Sequence, residues 1–283
     1  ATNNVAVVMD GDGQHRPSDV LNAVRELKSN NFDLVVGSRF SLNSEIQGLS
    51  QRRTDGSTIA NHLARFSLPS QYEHITDYMS GCFAINLDSC LKIIYRVDVQ
   101  GFKFLYEFLA VSNGILKIGE APLTFQPRLH GQSKLDLSIL WDFFISFLHT
   151  FSFRLLPRRA ISFALVGASG VFIQLITTQI IMQITELPFS KVLPISVLLA
   201  ATSNYIINNA LTFRSQRLQG SSLLRGLLKF LLVASLPVIA NIGLATAFYN
   251  SISPNTVWAQ MAGIFVVFIW NYVASSRFVW NTP

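Results

Sequence analysis

The chain has 283 residues, half of them hydrophobic, with a net charge of +6 and only 13% charged side chains. Residues 1–135 carry 13 Lys+Arg against 13 Asp+Glu, while residues 136–283 carry 9 against 3, so the whole positive excess sits in an apolar half. That placement excludes the basic face of a nucleic-acid-binding protein and ties the charge to membrane topology instead. The two cysteines, Cys82 and Cys90, have neither CxxC spacing nor nearby histidines, which argues for buried reduced thiols and against a disulfide or a zinc site.

The first predicted element is a strand, Val5 to Met9, that runs into Asp10-Gly11-Asp12-Gly13-Gln14. Side chains alternate along a strand, so residues i and i+2 point the same way, and a strand ending beyond an α/β sheet delivers them where ligands bind. Two carboxylates so placed suit a hard cation, Mg²⁺ or Mn²⁺, on a diphosphate. The competing reading is a solvated turn, since Asp and Gly are common turn residues. An EF-hand loop is disfavoured, because Gln14 and Leu21 occupy the positions of a third early ligand and the closing Glu.

Pro17 to Asn30 reads as a helix, and Phe32 to Ser38 as a second buried strand closing on Arg39. Arg53 and Ser57 follow on a helix, then Asp77-Tyr78-Met79-Ser80-Gly81-Cys82-Phe83-Ala84, then Gly101-Phe102-Lys103 leading to Glu107. The soluble half closes with Pro127-Arg128-Leu129-His130-Gly131-Gln132-Ser133-Lys134-Leu135. A lone Arg or Lys is more often a solvated surface residue; the order of all these groups is what carries information.

Between the halves, Leu135 to Leu156 is rich in Leu, Phe and Ile, with Ser138, Asp142, Ser146 and His149 recurring at helical spacing. One polar stripe on an apolar helix predicts amphipathic interfacial helices over 136–158; a buried helix of the soluble half is the alternative. Four stretches are then long enough to span a bilayer at about 20 residues each: 161–184, 192–213, 230–249 and 257–276. Arg154, Arg158 and Arg159 precede the first, Arg214, Arg217, Arg225 and Lys229 lie between the second and third, and Arg277 follows the fourth. The positive-inside rule therefore puts both ends, and the soluble half, on the cytoplasmic side.

The membrane half also repeats itself. Phe163, Leu165 and Val166 recur as Phe230, Leu232 and Val233, Asn204-Tyr205 recurs as Asn271-Tyr272, and Phe213 recurs as the aromatic Trp280, all at one offset. Two hairpins in the same orientation would follow, with Asn204, Asn208, Asn209 and Asn271 as interhelical hydrogen-bonding residues.

The order of motifs over residues 5 to 135 resembles the dolichol-phosphate mannose synthase group of family 2 glycosyltransferases. The family's Asp-x-Asp-x-Gln-His stretch is matched by Asp10, Asp12, Gln14 and His15, its Gly-Ser-Arg by Gly37 to Arg39, and its Asp-Pro-Met-Ser-Gly-Phe-Phe-Ala by Asp77 to Ala84. Its closing Arg-x-x-Gly-x-Ser-Lys-Leu is matched by Arg128 to Leu135, and Ile161 to Leu175, Ser203 to Phe213 and Ile264 to Trp280 look like a GtrA-like membrane domain. Tyr78, Cys82, Asn86-Leu87 and Arg16 depart from the family pattern, which puts acceptor affinity or sugar choice in doubt.

The resemblance implies an α/β fold, an incomplete GT-A (Rossmann-like) domain over 1–135, followed by the interfacial helices of 136–158 and an all-α four-helix transmembrane domain over 159–283. Family members place two or three βα units, roughly 60 to 90 residues, before the metal-binding strand, so the chain reads as a fragment that is inactive alone if those units are required. It further implies a polyprenyl-phosphate glycosyltransferase with Mg²⁺ or Mn²⁺ held by Asp10, Asp12 and Gln14, with Asp12 and Arg39 catalytic. Arg39, Arg53, Ser57, Arg128, Ser133 and Lys134 would bind the donor and acceptor phosphates. The partners are a nucleotide sugar (GDP-mannose before UDP-glucose), a polyprenyl phosphate and the bilayer. A processive synthase is disfavoured because no Gln-x-x-Arg-Trp motif occurs. A glycolipid-translocating protein with a degenerate transferase domain is the rival from another class.

Overall fold

The computed structural model describes residues 4–47, 51–97, 104–127, 137–235 and 256–281. The chain divides into two compact units, Ala1–Leu155 and Leu156–Pro283.

In the first unit β1 (Val5–Val8), α1 (Pro17–Ser29), β2 (Leu34–Ser38), the short β3 (Glu45–Ile46) and α2 (Gln51–Ser67) lead to β4 (Phe83–Asn86) and α3 (Leu87–Ile94). Then come α4 (Phe104–Ser112), β5 (Ile118–Pro122), β6 (Thr124–Phe125) and α5 (Leu137–Phe151). The main sheet has the order β1-β4-β2-β5, while β3 and β6 form a separate parallel pair. β2 and β5 are parallel, and β4 runs antiparallel to both β1 and β2, so the sheet is mixed.

Every residue of β2 is buried, as expected of a central strand covered on both faces. Its alternation assigns the layers. Leu34 and Val36 join Phe83, Ile85 and Ile118 in the larger core, together with Phe108 and Leu109 of α4. Val35 faces the other way, onto Ala84, Ala121 and the buried Ala23 and Leu27 of α1. α1 starts with Pro17 in its first turn, where the missing N–H costs nothing. Because β1, β2 and β5 point the same way, their C-terminal ends share one edge of the sheet. β4 begins at that edge, directly after Ser80-Gly81-Cys82.

The segment expected to hold short interfacial helices is, over its described residues, the single helix α5. Phe143, Ile145 and Ser146 are buried, and Phe143 meets Tyr106 of α4 edge-on at 5.7 Å. Ser138, Asp142, Ser146 and His149 lie on the inward side, whereas Leu140, Phe144 and Phe151 are exposed. The polar stripe thus packs inward and the apolar stripe faces out.

The second unit is helical: α6 (Arg158–Ile184), α7 (Phe189–Ile207), a helix over 221–235 here termed α8, and α9 (Thr256–Phe278). α6, with 27 residues, is long and apolar enough to cross a membrane. α7 ends earlier than the stretch 192–213 predicts, passing at Asn208–Thr212 into a π-helical turn. α8 begins earlier than residue 230, because Arg225 and Lys229 are exposed on it, and a helix tolerates charges that a hydropathy window does not. Residues 236–249 of the third expected span lie outside the described residues.

The duplicated residues meet in a symmetric pattern. Phe163 and Phe213 contact edge-on at 6.4 Å, and their equivalents Phe230 and Trp280 do so at 5.8 Å. Phe163 lies 5.7 Å from Tyr272, and the exchanged pair, Phe230 and Tyr205, is also 5.7 Å apart. Phe213 and Trp280, equivalent to each other, stack at 4.1 Å. Contacts that survive exchange of the halves are those of an approximate two-fold axis passing between these two rings. Of the four asparagines expected to bond between helices, Asn209 accepts at Oδ1 from the Leu218 N–H (2.8 Å) and from Trp280 Nε1 (3.0 Å) and donates from Nδ2 to the Leu218 carbonyl, partners in the loop after α7 and just past α9. The buried side-chain oxygens of Asn204, Asn208 and Asn271 have no hydrogen-bond partner among the described residues. Asn204 packs so closely on Gly170 that a Cβ there would overlap its amide.

Candidate active site

The shared sheet edge gathers the predicted residues of the first unit. Beyond β1 the chain turns at Asp10–Gly13, with Gly13 at φ 80°, a conformation that suits glycine. The Asp12 carboxylate accepts the Gln14 N–H at 3.2 Å, closing an Asx-type turn. Gln14 and His15 are buried and pin the loop: Gln14 Nε2 donates to the Gln126 carbonyl (2.9 Å), the Gln126 N–H returns to the Gln14 carbonyl (3.0 Å), and His15 bridges to Phe125 of β6. The Asp10 N–H donates to His15 Nδ1 at 3.3 Å. That places the imidazole proton on Nε2. Burial lowers the His15 pKa; Asp10 and Asp12 pull it up and Arg39 pushes it down, with a net shift below the ordinary value.

Asp10 is exposed but closely backed. A Cβ on Gly81 would overlap the Asp10 carboxylate, so any larger residue there would push that exposed side chain aside. Ser80 Oγ donates to the Gly37 carbonyl (2.6 Å), and the Gly37 N–H donates to the Cys82 carbonyl (2.9 Å), fastening the loop to β2. Cys82 itself is buried, and burial pushes its thiol up to about 12, as it does for Cys90. Both are unreactive thiols.

At the end of β2, Arg39 is clamped by Asp77. Nε and Nη2 reach the two carboxylate oxygens at 2.6 and 2.8 Å, the Arg39 N–H adds a third bond at 3.2 Å, and the Asp77 side chain is fully buried. Burial works against the Arg39 charge, but the hydrogen bonds and charge of Asp77, helped by Asp10, raise its pKa on balance. The guanidinium lies between the rings of Phe40 and Phe125, at 5.4 and 5.5 Å. Asp77 is placed in turn by Glu120 of β5, whose Oε1 accepts the N–H groups of Thr76 (2.6 Å) and Asp77 (3.2 Å). Burial raises the Glu120 pKa, with those bonds opposing it.

The structure therefore brings Asp10, Asp12, Gln14 and Arg39 together. Arg53 lies in the first turns of α2, with the partly exposed Ser57 one turn later. Arg128, Ser133 and Lys134 lie outside the described residues. Glu120 and Gln126 were not legible as site residues in sequence, because a single Glu in a strand and a single Gln after one carry no spacing signal. Asp77 stands in a recognisable motif of the sequence, but its pairing with Arg39 is a tertiary fact.

Asp10 and Asp12 offer hard carboxylate oxygens at an open loop, and among the described residues no group of three or more His, Cys, Asp or Glu is placed to hold a metal ion, so these two carboxylates alone would have to anchor one. Two carboxylates suffice for a Mg²⁺-like ion that takes its other ligands from water and substrate phosphates.

Residues 1–93 match glycosyl transferase family 2, and residues 162–280 match the GtrA/DPMS transmembrane domain. A dolichol-phosphate mannosyltransferase of Pyrococcus furiosus is 27% identical over 286 aligned positions, covering 100% of this chain and 78% of that protein. A dolichol-phosphate mannosyltransferase of Mycosarcoma maydis is 28% identical over 52% of this chain and 49% of its own length. A UDP-N-acetylglucosamine–dolichyl-phosphate N-acetylglucosaminyltransferase of Methanococcus voltae is 26% identical over 42% of this chain and 47% of its own. The chain thus spans about half the length of these last two relatives. Its first 93 residues match glycosyl transferase family 2 and residues 162–280 the GtrA/DPMS transmembrane domain, and over its whole length the chain is similar to a dolichol-phosphate mannosyltransferase.

Proposed function

We propose that the protein transfers one hexose, mannose from GDP-mannose, to a dolichyl or polyprenyl phosphate at the cytoplasmic membrane face. The observation that carries this reading is the seating of the Asp10 carboxylate against Gly81, beside Asp12 and the clamped Arg39. Two carboxylates and a fixed guanidinium on one sheet edge support this reading, because a departing nucleoside diphosphate and its cation suit such a set. The two mannosyltransferase relatives, one of them aligned over the whole chain, favour mannose. The arginines flanking α6, preceding and within α8, and ending α9 favour the cytoplasmic side.

The chemistry follows from charge. A phosphate monoester has a second pKa near 6, so a polyprenyl phosphate is largely dianionic at neutral pH and already nucleophilic. No strong base is needed, and the neutral, buried His15 is not required as one. Asp10 and Asp12 orient the donor diphosphate, with Gln14 holding their loop; a divalent cation bound there would neutralise charge on that diphosphate. Arg39 contributes positive charge without moving, because Asp77 holds it. Arg53, Ser57, Arg128, Ser133 and Lys134 complete the phosphate contacts. The acceptor oxygen forms its bond to the anomeric carbon as the bond to the diphosphate oxygen breaks on the opposite face, so configuration inverts and the nucleoside diphosphate leaves.

Membranes bearing the full-length protein, given labelled GDP-mannose, UDP-glucose or UDP-N-acetylglucosamine with polyprenyl phosphate, should yield lipid-linked mannose. A lipid-linked product from a UDP sugar alone would replace the donor assignment. Scrambling of a supplied glycolipid with no transfer from any donor would replace the enzyme by the translocation reading.

A further inference from the structure

Arg39 follows Ser38, the last residue of β2, and the carboxylate that clamps it belongs to the stretch ahead of β4. Neither Arg39 nor residues 76–80 belong to a helix or strand, so side-chain bonds must fix them in place of a main-chain ladder. After Asp77, the Tyr78 N–H donates to Asn61 Oδ1 of α2 (2.9 Å) and Ser80 ties the loop to β2. Before it, the anchor is Glu120, which takes the Thr76 and Asp77 N–H groups and also the Thr76 hydroxyl, 3.1 Å from each carboxylate oxygen. An ionised carboxylate only accepts, and that sets the direction of every bond behind it. The Thr76 hydroxyl donates to Glu120, so at the 2.6 Å contact between Thr76 Oγ1 and Ser38 Oγ the serine is the donor, and Ser38 Oγ accepts the Phe40 N–H at 3.1 Å. The result is a one-way chain from the Phe40 N–H through two hydroxyls to a charge, each bond polarising the next. Ser38 is fully buried, and its carbonyl accepts the Leu123 N–H (3.0 Å) and the Ser44 hydroxyl (2.7 Å), so the chain runs through a fixed point. Glu120 stands on β5, in parallel register with β2.

We propose that Glu120 is a positioning residue for the transfer reaction. Its carboxylate holds Arg39 from two directions: through the Thr76 and Asp77 N–H groups, which aim the clamping carboxylate, and through the two hydroxyls, which fix the backbone at Phe40 on the other side of Arg39. A guanidinium displaced by about 1 Å loses much of its hold on charge that develops only as the diphosphate departs, an effect of up to about 10²-fold on rate. The consequence for catalysis rests on the function proposed above; the hold on Arg39 does not. A carboxylate that only met the hydrogen-bonding needs of the loop would be replaceable by water, since Thr76 is exposed, and its removal would leave Arg39 where it is.

Two measurements on the full-length protein keep these apart. The first follows phenylglyoxal modification of Arg39, read by mass spectrometry of the peptide that carries it. The Arg39 side chain is 12% exposed and doubly bonded, so it should react slowly in the unaltered protein. Glu120→Ala should raise the rate about fivefold or more, and Glu120→Gln, whose amide oxygen still accepts both N–H groups, should stay within about twofold of the unaltered protein. Arg39 equally slow in Glu120→Ala would overturn the proposal. In the second, hexose transfer, Glu120→Ala should lower kcat about tenfold or more while donor KM changes less than about threefold, and Glu120→Gln should recover most of the loss. Thr76→Val removes the hydroxyl chain but leaves both N–H groups on Glu120, so it should lower kcat about threefold; full activity there would overturn the two-sided hold. With Arg39→Lys already in place, Glu120→Ala should cost less than about a further twofold, because the clamp it serves is already broken. Equal losses in the two backgrounds would refute the positional role; absence of transfer in the unaltered protein, with Arg39 reactivity responding as expected, would refute the proposed function alone.

Discussion

Arg39 is the residue whose environment departs most from its appearance in sequence, where it is one basic residue after a strand. In the fold it is a largely buried cation held by a fully buried carboxylate. Removing one partner of such a pair strands the other, at a cost of about 3–5 kcal/mol. Arg39→Ala should therefore lower thermal stability sharply, and Arg39→Ala with Asp77→Asn should recover part of the loss; equal midpoints for the two variants would show that the pair is not buried in solution. Arg39→Lys keeps charge but loses the two-pronged bond, so it should lower transfer with a smaller loss of stability. His15 supplies a pH dependence with a definite sign. Its pKa is lowered in the folded protein, so the unfolded chain binds the extra proton, and the contribution of neutral His15 is present above the ordinary value of 6.5 and lost as pH falls through it. Thermal stability should therefore fall as pH drops below about 6.5, and His15→Asn, which keeps an acceptor for the Asp10 N–H, should flatten that profile. An unchanged profile in His15→Asn would assign the dependence elsewhere.

At the scale of elements, β1 and β2 are legible because a run of Val and Leu ending in Asp or Arg has one sensible placement, pointing into the loops beyond a sheet. The antiparallel insertion of β4 between them is not, since Phe83-Ala84-Ile85 reads the same in either direction. That insertion is what brings Gly81 onto Asp10. Gly81→Ala should displace the carboxylate and lower donor affinity by tenfold or more, with the helical content of the protein unchanged; normal affinity would mean that the close approach is relaxed when donor binds. α5 was half legible: its period showed a helix with two faces, but which face turns inward depends on Tyr106 and the other groups of α4 that receive it.

For the whole molecule, the division into a charge-balanced half and an apolar, basic half was plain in composition. The duplication was visible as one offset and becomes a packing fact in the exchange-symmetric contacts around Phe213 and Trp280. Trp280→Phe should cost little beyond the hydrogen bond to Asn209, about 1 kcal/mol, whereas Trp280→Ala should cost several times more by opening a cavity in the aromatic cluster. Thermal unfolding in a single detergent distinguishes the two, and similar losses would place the stack outside the stabilising core. If Asp10 and Asp12 hold a cation on the donor for transfer to a polyprenyl phosphate, Mn²⁺ binding followed by EPR and labelled mannose transfer should change together between the unaltered full-length protein and Asp12→Asn. Mn²⁺ should bind in the presence of GDP-mannose and a metal-dependent lipid product should form, both lost on substitution with membrane insertion intact; normal turnover by Asp12→Asn would rule that role out.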